Sequence, residues 1–243
     1  MSTLFIAVGL SLVGGLGGLL VASGVLLIKD SVRTKLVPWL VSYAVGALLG
    51  VSMLALLPTT LEQLPPSRVF TTLLIGILLF FVLEKLVLWR HCHTHDCEVH
   101  ESSVFPVLVG DAFHNFVDGA VVAAAVMTSI PLGVTTAVAV AAHEIPQEVG
   151  DFAILLHAGY SRSRALMLNV LSSAASAIGA IAAYFAFDMV PRMLPYVLAL
   201  AAASFLYVAM ADLIPGLHRG RTDASSMRQI LLIGAGIATM LVL

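Results

Sequence analysis

Apolar residues run in eight long stretches along the chain, at about 4–28, 36–58, 69–89, 104–127, 132–157, 166–187, 193–214 and 228–243, separated by short polar breaks. A helix that crosses a bilayer needs roughly 20 predominantly apolar residues, and each stretch is about that long. The pattern therefore predicts an all-α integral membrane protein with eight transmembrane helices. No long polar segment is left over, so 1–243 reads as a single transmembrane domain. The first stretch begins Met1-Ser2-Thr3, and its basic residues Lys29, Arg33 and Lys35 follow it rather than precede it. That order marks a retained span, not a cleaved signal.

Eight spans put both ends of the chain on one side, and Lys and Arg mark the cytoplasmic loops. The loops after spans one, three, five and seven hold Lys29, Arg33, Lys35, Lys85, Arg90, Arg162, Arg164, Arg219, Arg221 and Arg228, against Arg68 and Arg192 on the other face. Ten against two places both termini outside. Composition agrees with a membrane chain: 60% of residues are hydrophobic and 11% charged, where a soluble domain carries about 25% charged. A net charge of −2 lacks the basic surface that a nucleic-acid partner needs. No nucleotide-binding loop is found, so the chain itself uses no ATP. Gly14 with Gly18, Gly46 with Gly50, and the run Ser172 to Ser176 allow close helix packing.

The fourth and fifth stretches carry most of the candidate chemistry. Span four holds Asp111, His114, Asn115 and Asp118; span five holds His143, Glu144, Gln147, Glu148 and Asp151. Each ionisable group at membrane depth costs about 2.5–3.5 kcal/mol on insertion scales, which makes it a functional candidate. None of these residues is Lys or Arg, so a metal ion or a proton must compensate the carboxylates. The spacings i, i+3, i+4 and i+7 place the span-four set on one helix face, and the span-five set makes a similar stripe. A short connection near Thr128 to Pro131 makes the two helices antiparallel neighbours and sets His114 and Asn115 opposite His143 and Glu144 at mid-depth. Imidazole, carboxylate and amide ligands without thiolate suit zinc, iron(II), manganese or cobalt. Pro146 interrupts the hydrogen-bond ladder of span five in the middle of this stripe.

The segments His114-Asn115-Phe116-Val117-Asp118-Gly119 and His143-Glu144-Ile145-Pro146-Gln147-Glu148-Val149-Gly150-Asp151-Phe152 resemble the two signature helices of the ZIP family of divalent-metal transporters. The resemblance extends to eight spans with outside termini and a His-rich cytoplasmic loop after span three. It implies import of zinc or related ions, cadmium among them, into the cytoplasm through a binuclear site, commonly by a homodimer, with a transport bundle moving against a scaffold. No organic cofactor is implied. The resemblance assigns His114, Asp118, His143 and Gln147 to one metal position, and Asn115, Asp118, Glu144 and Gln147 to the other. Two departures stand out: position 147 is Gln where many members have His or Glu, and the polar residue that some members have on span six is replaced by Asn169, Ser172 or Ser173. Glu148 reads as a ligand, a proton acceptor or a partner that orients a histidine.

Asp111 and Asp151 lie on the cytoplasmic side of the proposed site. At 1.5 Å per residue, Asp151 is about 12 Å and His157 about 21 Å along the helix from His143, which suggests a release path through Asp111, Asp151 and His157. The loop bearing His91, Cys92, His93, His95, Cys97 and His100 is dense enough in ligands to capture metal, though too short for a zinc finger. Two rival readings remain at this point. An intramembrane zinc metalloprotease would use His143-Glu144 as the start of an H-E-x-x-H helix, but position 147 is Gln. A metal sensor that does not transport would rest on the His-rich loop. The compact length suggests a prokaryotic cytoplasmic membrane.

Overall fold

In the computed structural model, residues 2–91, 104–218 and 224–243 are described, and nearly all are helical. The helices are α1 (Ser2–Leu26), α2 (Asp30–Gly50), α3 (Leu57–Gln63), α4 (Pro66–His91), α5 (Val104–Thr128), α6 (Ile130–His157), α7 (Arg162–Ser173), α8 (Ala175–Met189), α9 (Leu194–Tyr207), α10 (Ile214–His218) and α11 (Ala224–Val242). Six stretches are long and apolar enough to cross a membrane: Ser2–Leu26, Ser31–Gln63, Pro66–Lys85, Pro106–Thr128, Arg162–Met189 and Pro191–Leu217. The two remaining apolar runs correspond to α6, with its polar middle, and to the shorter Ser226–Val242 within α11.

Three of the apolar runs are not uniform helices. Wide π-helical turns at Val51–Leu56 and Val208–Leu213 join α2 to α3 and α9 to α10. Each ends just before a proline, Pro58 or Pro215. A proline ring cannot donate to the carbonyl four residues back and presses on it; an extra residue in the preceding turn relieves that contact. The run expected at 166–187 begins earlier, at Arg162, and breaks at Ala174 between α7 and α8. There the Ser176 hydroxyl donates to the Ser173 carbonyl at 2.8 Å.

Local chemistry sets the helix ends nearest the polar stripes. Ser129 is the sole residue between α5 and α6; its hydroxyl accepts from the Leu132 amide at 3.3 Å and caps α6, as N-terminal Ser commonly does. So short a link forces α5 and α6 to run antiparallel side by side. The helix continues through Pro146 to His157, and two residues on the chain turns at Gly159, whose φ of +85° is left-handed. The Tyr160 amide then bonds the Leu155 carbonyl at 3.1 Å, closing a glycine C-cap.

The helices sort into two groups by what they pack against. One comprises α1, α5, α6, α7 and α8; the other α2, α3, α4, α9, α10 and α11. The closest crossings lie within each group. In the first, a side chain at Gly119 would strike the Ser176 backbone and one at Gly179 the Phe116 backbone, so α5 and α8 touch main chain to main chain. In the second, Gly46 meets Ile233 and Gly236 meets Tyr43 in the same manner. Contacts between the groups come mainly from α2 and the π turn at Val51–Leu56 against α6, and from α9 against α5.

Candidate metal centre

The antiparallel register of α5 and α6 brings the two polar stripes face to face inside the first helix group. The Nε2 atoms of His114 and His143 are 3.2 Å apart. Asp118 Oδ2 lies 3.0 Å from the His143 Nε2 and 3.6 Å from that of His114. Glu144 Oε1 is 3.5 Å from His114 Nε2 and 3.7 Å from His143 Nε2. One ligand atom from each of these four residues therefore lies within 4.8 Å of the others. His143 Nδ1 is 3.0 Å from the Ala139 carbonyl. With that nitrogen donating to the carbonyl, Nε2 turns a lone pair toward the cluster, the arrangement usual for a metal-binding histidine.

Asp111, Glu144 and Glu148 form a second cluster, again with one ligand atom apiece within 4.8 Å. Glu144 is common to the two. Hydrogen bonds hold the outer carboxylates of this second group. Ser172 donates to Asp111 Oδ2, Ser173 donates to Glu148 Oε1 at 2.6 Å, and the Asn115 and Gln147 amides reach Asp111 Oδ1 at 3.0 and 3.4 Å. Glu144 and Glu148 are both fully buried. Neither oxygen of Glu144 has a hydrogen-bond donor, nor does Glu148 Oε2 or Asn115 Oδ1. Buried carboxylate oxygens without donors are costly in an apolar medium. Their chemistry fits a cation, since the polar side chains gathered there are carboxylates, imidazoles, amides and hydroxyls.

Several sequence expectations meet this geometry differently. His114, Asp118 and His143 come together as their spacing implies. Asp111, expected on a release path, lies with Glu144 and Glu148. Gln147, assigned to both metal positions by resemblance, directs its amide to Asp111, so the helix lacks the second ligand a metalloprotease would need next to His143. Asp151 is partly buried one turn beyond Glu148. His157 follows nine residues after Glu148, which at 3.6 residues per turn is the opposite side of α6. It lines a separate cavity with Leu26, Arg33, Val149, Ala153 and Leu156, and the structure does not bring it together with Asp111. Cys92, His93, His95, Cys97 and His100 lie outside the described residues, as does the side chain of His91.

Other contributors were hidden in apolar helices. A Cβ at Gly18 would come within 2.6 Å of Glu144 Cβ, and one at Gly15 within 3.2 Å of Asn115 Oδ1. The glycines of α1 thus make room for the site as well as for a helix crossing. Phe205 of α9, almost wholly buried, packs against the His143 ring from the second helix group, the ring centroids 5.8 Å apart and the planes tilted by 57°. A four-residue glycine spacing is the one sequence signal for the first feature; nothing local in the sequence marks Phe205.

Residues 88–243 match the family described as ZIP Zinc transporter. This chain belongs to the ZIP family. It is 33% identical over 218 residues to "Zinc transporter ZIP13" of Pongo abelii, an alignment covering 83% of this chain and 65% of that protein. It is 43% identical over 117 residues to human "Zinc transporter ZIP4", covering 48% of this chain and 18% of ZIP4. Over 122 residues it is 37% identical to "Zinc transporter ZIP10" of Danio rerio, covering 50% of this chain and 14% of that relative. The chain therefore spans less than two thirds of these relatives' lengths. ZIP proteins are transporters rather than enzymes, and the apolar helices together with the family make this an integral membrane protein. These relatives are eukaryotic, and they lend no support to the prokaryotic membrane that chain length suggests.

Proposed function

We propose that this single-domain chain carries divalent metal ions, zinc foremost, across the membrane into the cytoplasm through a two-position site between α5 and α6. The observation that carries the reading is the convergence of His114, Asp118, His143 and Glu144 beside Asp111, Glu144 and Glu148, with both Glu144 oxygens buried and lacking a donor. In this reading the first ion takes the two imidazoles, Asp118 and one oxygen of Glu144. The second takes Asp111, Glu148 and the other oxygen of Glu144, with Asn115 Oδ1 as a further ligand. Borderline and hard donors of this kind exchange the ion's water for protein oxygen and nitrogen without the grip of thiolate.

Glu144 as the shared ligand gives the ion a step from one position to the next, and Asp151, one turn further along α6, receives it on the way out. All the proposed ligands belong to one helix group, so displacement of that group against α2, α4 and α9 moves the site as a unit. Outside termini follow from the basic loops, and a homodimer from the family resemblance; both belong to this proposal. Liposomes holding the purified protein and an internal zinc-responsive dye provide the test. Native protein is expected to admit zinc, with manganese, iron(II), cobalt and cadmium ranked by competition, and Asp118→Ala or His143→Ala to abolish entry. Undiminished entry through either variant would refute the site, and no entry through folded native protein would refute transport.

A further inference from the structure

Away from the metal centre, the ends of α1 and α6 and the starts of α2 and α7 enclose two adjoining cavities of about 320 and 270 Å³ that share Leu26, Arg33 and Leu156. We propose that this cleft binds one phospholipid with an anionic headgroup. Arg33 lines both cavities, Arg162 lines the second and His157 the first. Leu26 and His157 are the last residues of α1 and α6, while Arg33 and Arg162 stand in the first turns of α2 and α7. The polar part of the cleft therefore sits where helices end, at headgroup level, and its walls of Phe152, Leu156 and Leu166 continue along the helices.

Three observations favour this occupant. Arg162, and Arg33 in addition to the contact it already makes within the protein, repel a departing metal cation and attract a phosphodiester, which Arg binds with paired N–H donors. The Ser23 hydroxyl is buried at the wall of the second cavity without a hydrogen-bond partner, and a phosphate or ester oxygen supplies one. Leu27 and Leu166, at the rim, are 80% and 40% exposed and offer an acyl chain an apolar track. Basic pockets between membrane helices at the headgroup level recognise anionic lipids by this combination. Arg164, two residues from Arg162, lies instead 4.9 Å over the Tyr160 ring and lines neither cavity.

The test uses full-length protein in nonionic detergent, equilibrated with equal amounts of dioleoyl phosphatidylglycerol and dioleoyl phosphatidylcholine, with retained lipid counted by native mass spectrometry. One phosphatidylglycerol per chain is expected in preference to phosphatidylcholine. Arg162→Gln, on an exposed side chain whose loss does not threaten folding, lowers the preference about fivefold, and Arg33→Gln added to it removes about a further fivefold. Arg164→Gln, with the same loss of charge, leaves the preference unchanged. Equal retention of the two lipids by native protein would overturn the proposal, as would an equal loss in Arg164→Gln and Arg162→Gln. Displacement of phosphatidylglycerol by equimolar glycerol 1-phosphate would also overturn it, because the cleft would then take a free phosphate ester rather than a lipid.

Discussion

The two helix groups differ in the polar side chains they bury. In the group of α2, α3, α4 and α9 to α11, the buried polar residues among those described are Ser42, Ser52, Thr60 and Ser204. The first three donate to carbonyls of their own helical stretch, Pro38, Leu48 and Leu57, at 2.7 to 2.8 Å. In the group of α1 and α5 to α8, Ser11, Thr135, Thr136 and Ser176 likewise donate to carbonyls three or four residues back, but Asp111, Asn115, Asp118, His143, Glu144, Glu148, Asn169, Ser172 and Ser173 are buried as well, and they bond across helices or keep unpartnered atoms. A hydroxyl that satisfies itself on the preceding turn costs a membrane helix little. A carboxylate with no donor is tolerated where it does work. The difference teaches that burial of a polar group is not by itself a functional signal here; burial without a local partner is.

Substitutions that remove the unpartnered charge break this contrast most sharply. Glu144→Gln is expected to lower zinc entry by about a hundredfold or more, the scale for losing a ligand and its orienting contacts together. Metal-free Glu144→Gln should nonetheless melt about 2–4 °C higher, as relief of ~1 kcal/mol of buried charge would produce in a chain of this size. A fall in both quantities would mean that Glu144 is structural. Next comes Ser173→Ala, which frees Glu148 Oε1 and should weaken zinc affinity, measured by calorimetry in detergent, about tenfold.

A paired test on α1 sharpens the point further. Gly18→Ala pushes a methyl against Glu144 Cβ, whereas Gly17 has open space around it. The first should cost about 1–3 kcal/mol by overpacking and reduce zinc entry; the second should be neutral, or stabilise by roughly 0.5–1 kcal/mol. Equal outcomes for the two would remove α1 from the site. The smallest effect is expected in the other group, where Ser52→Ala should change thermal stability by less than about 0.5 kcal/mol and leave zinc entry as it was.

Much of this was legible in the chain before folding. Apolar runs of about twenty residues, interrupted by His, Asp and Glu at helical spacing on two neighbouring stretches, determined a helical membrane protein and the pair of helices that carry its polar stripes. That inference works because lipid leaves the backbone few alternatives to the helix, and because a one-residue link leaves two helices only an antiparallel arrangement. Tertiary structure alone decided which of these groups lie together. Asp111 joined Glu144 and Glu148 because α7 delivers Ser172 and Ser173 to those carboxylates, Gln147 turned to Asp111, and His157 fell on the far side of α6. The same holds for Phe205 and the α1 glycines, which reach the site from helices distant in sequence. Periodicity reports which residues share a face of one helix; which face meets which depends on close packing among all of them, and no single segment encodes that.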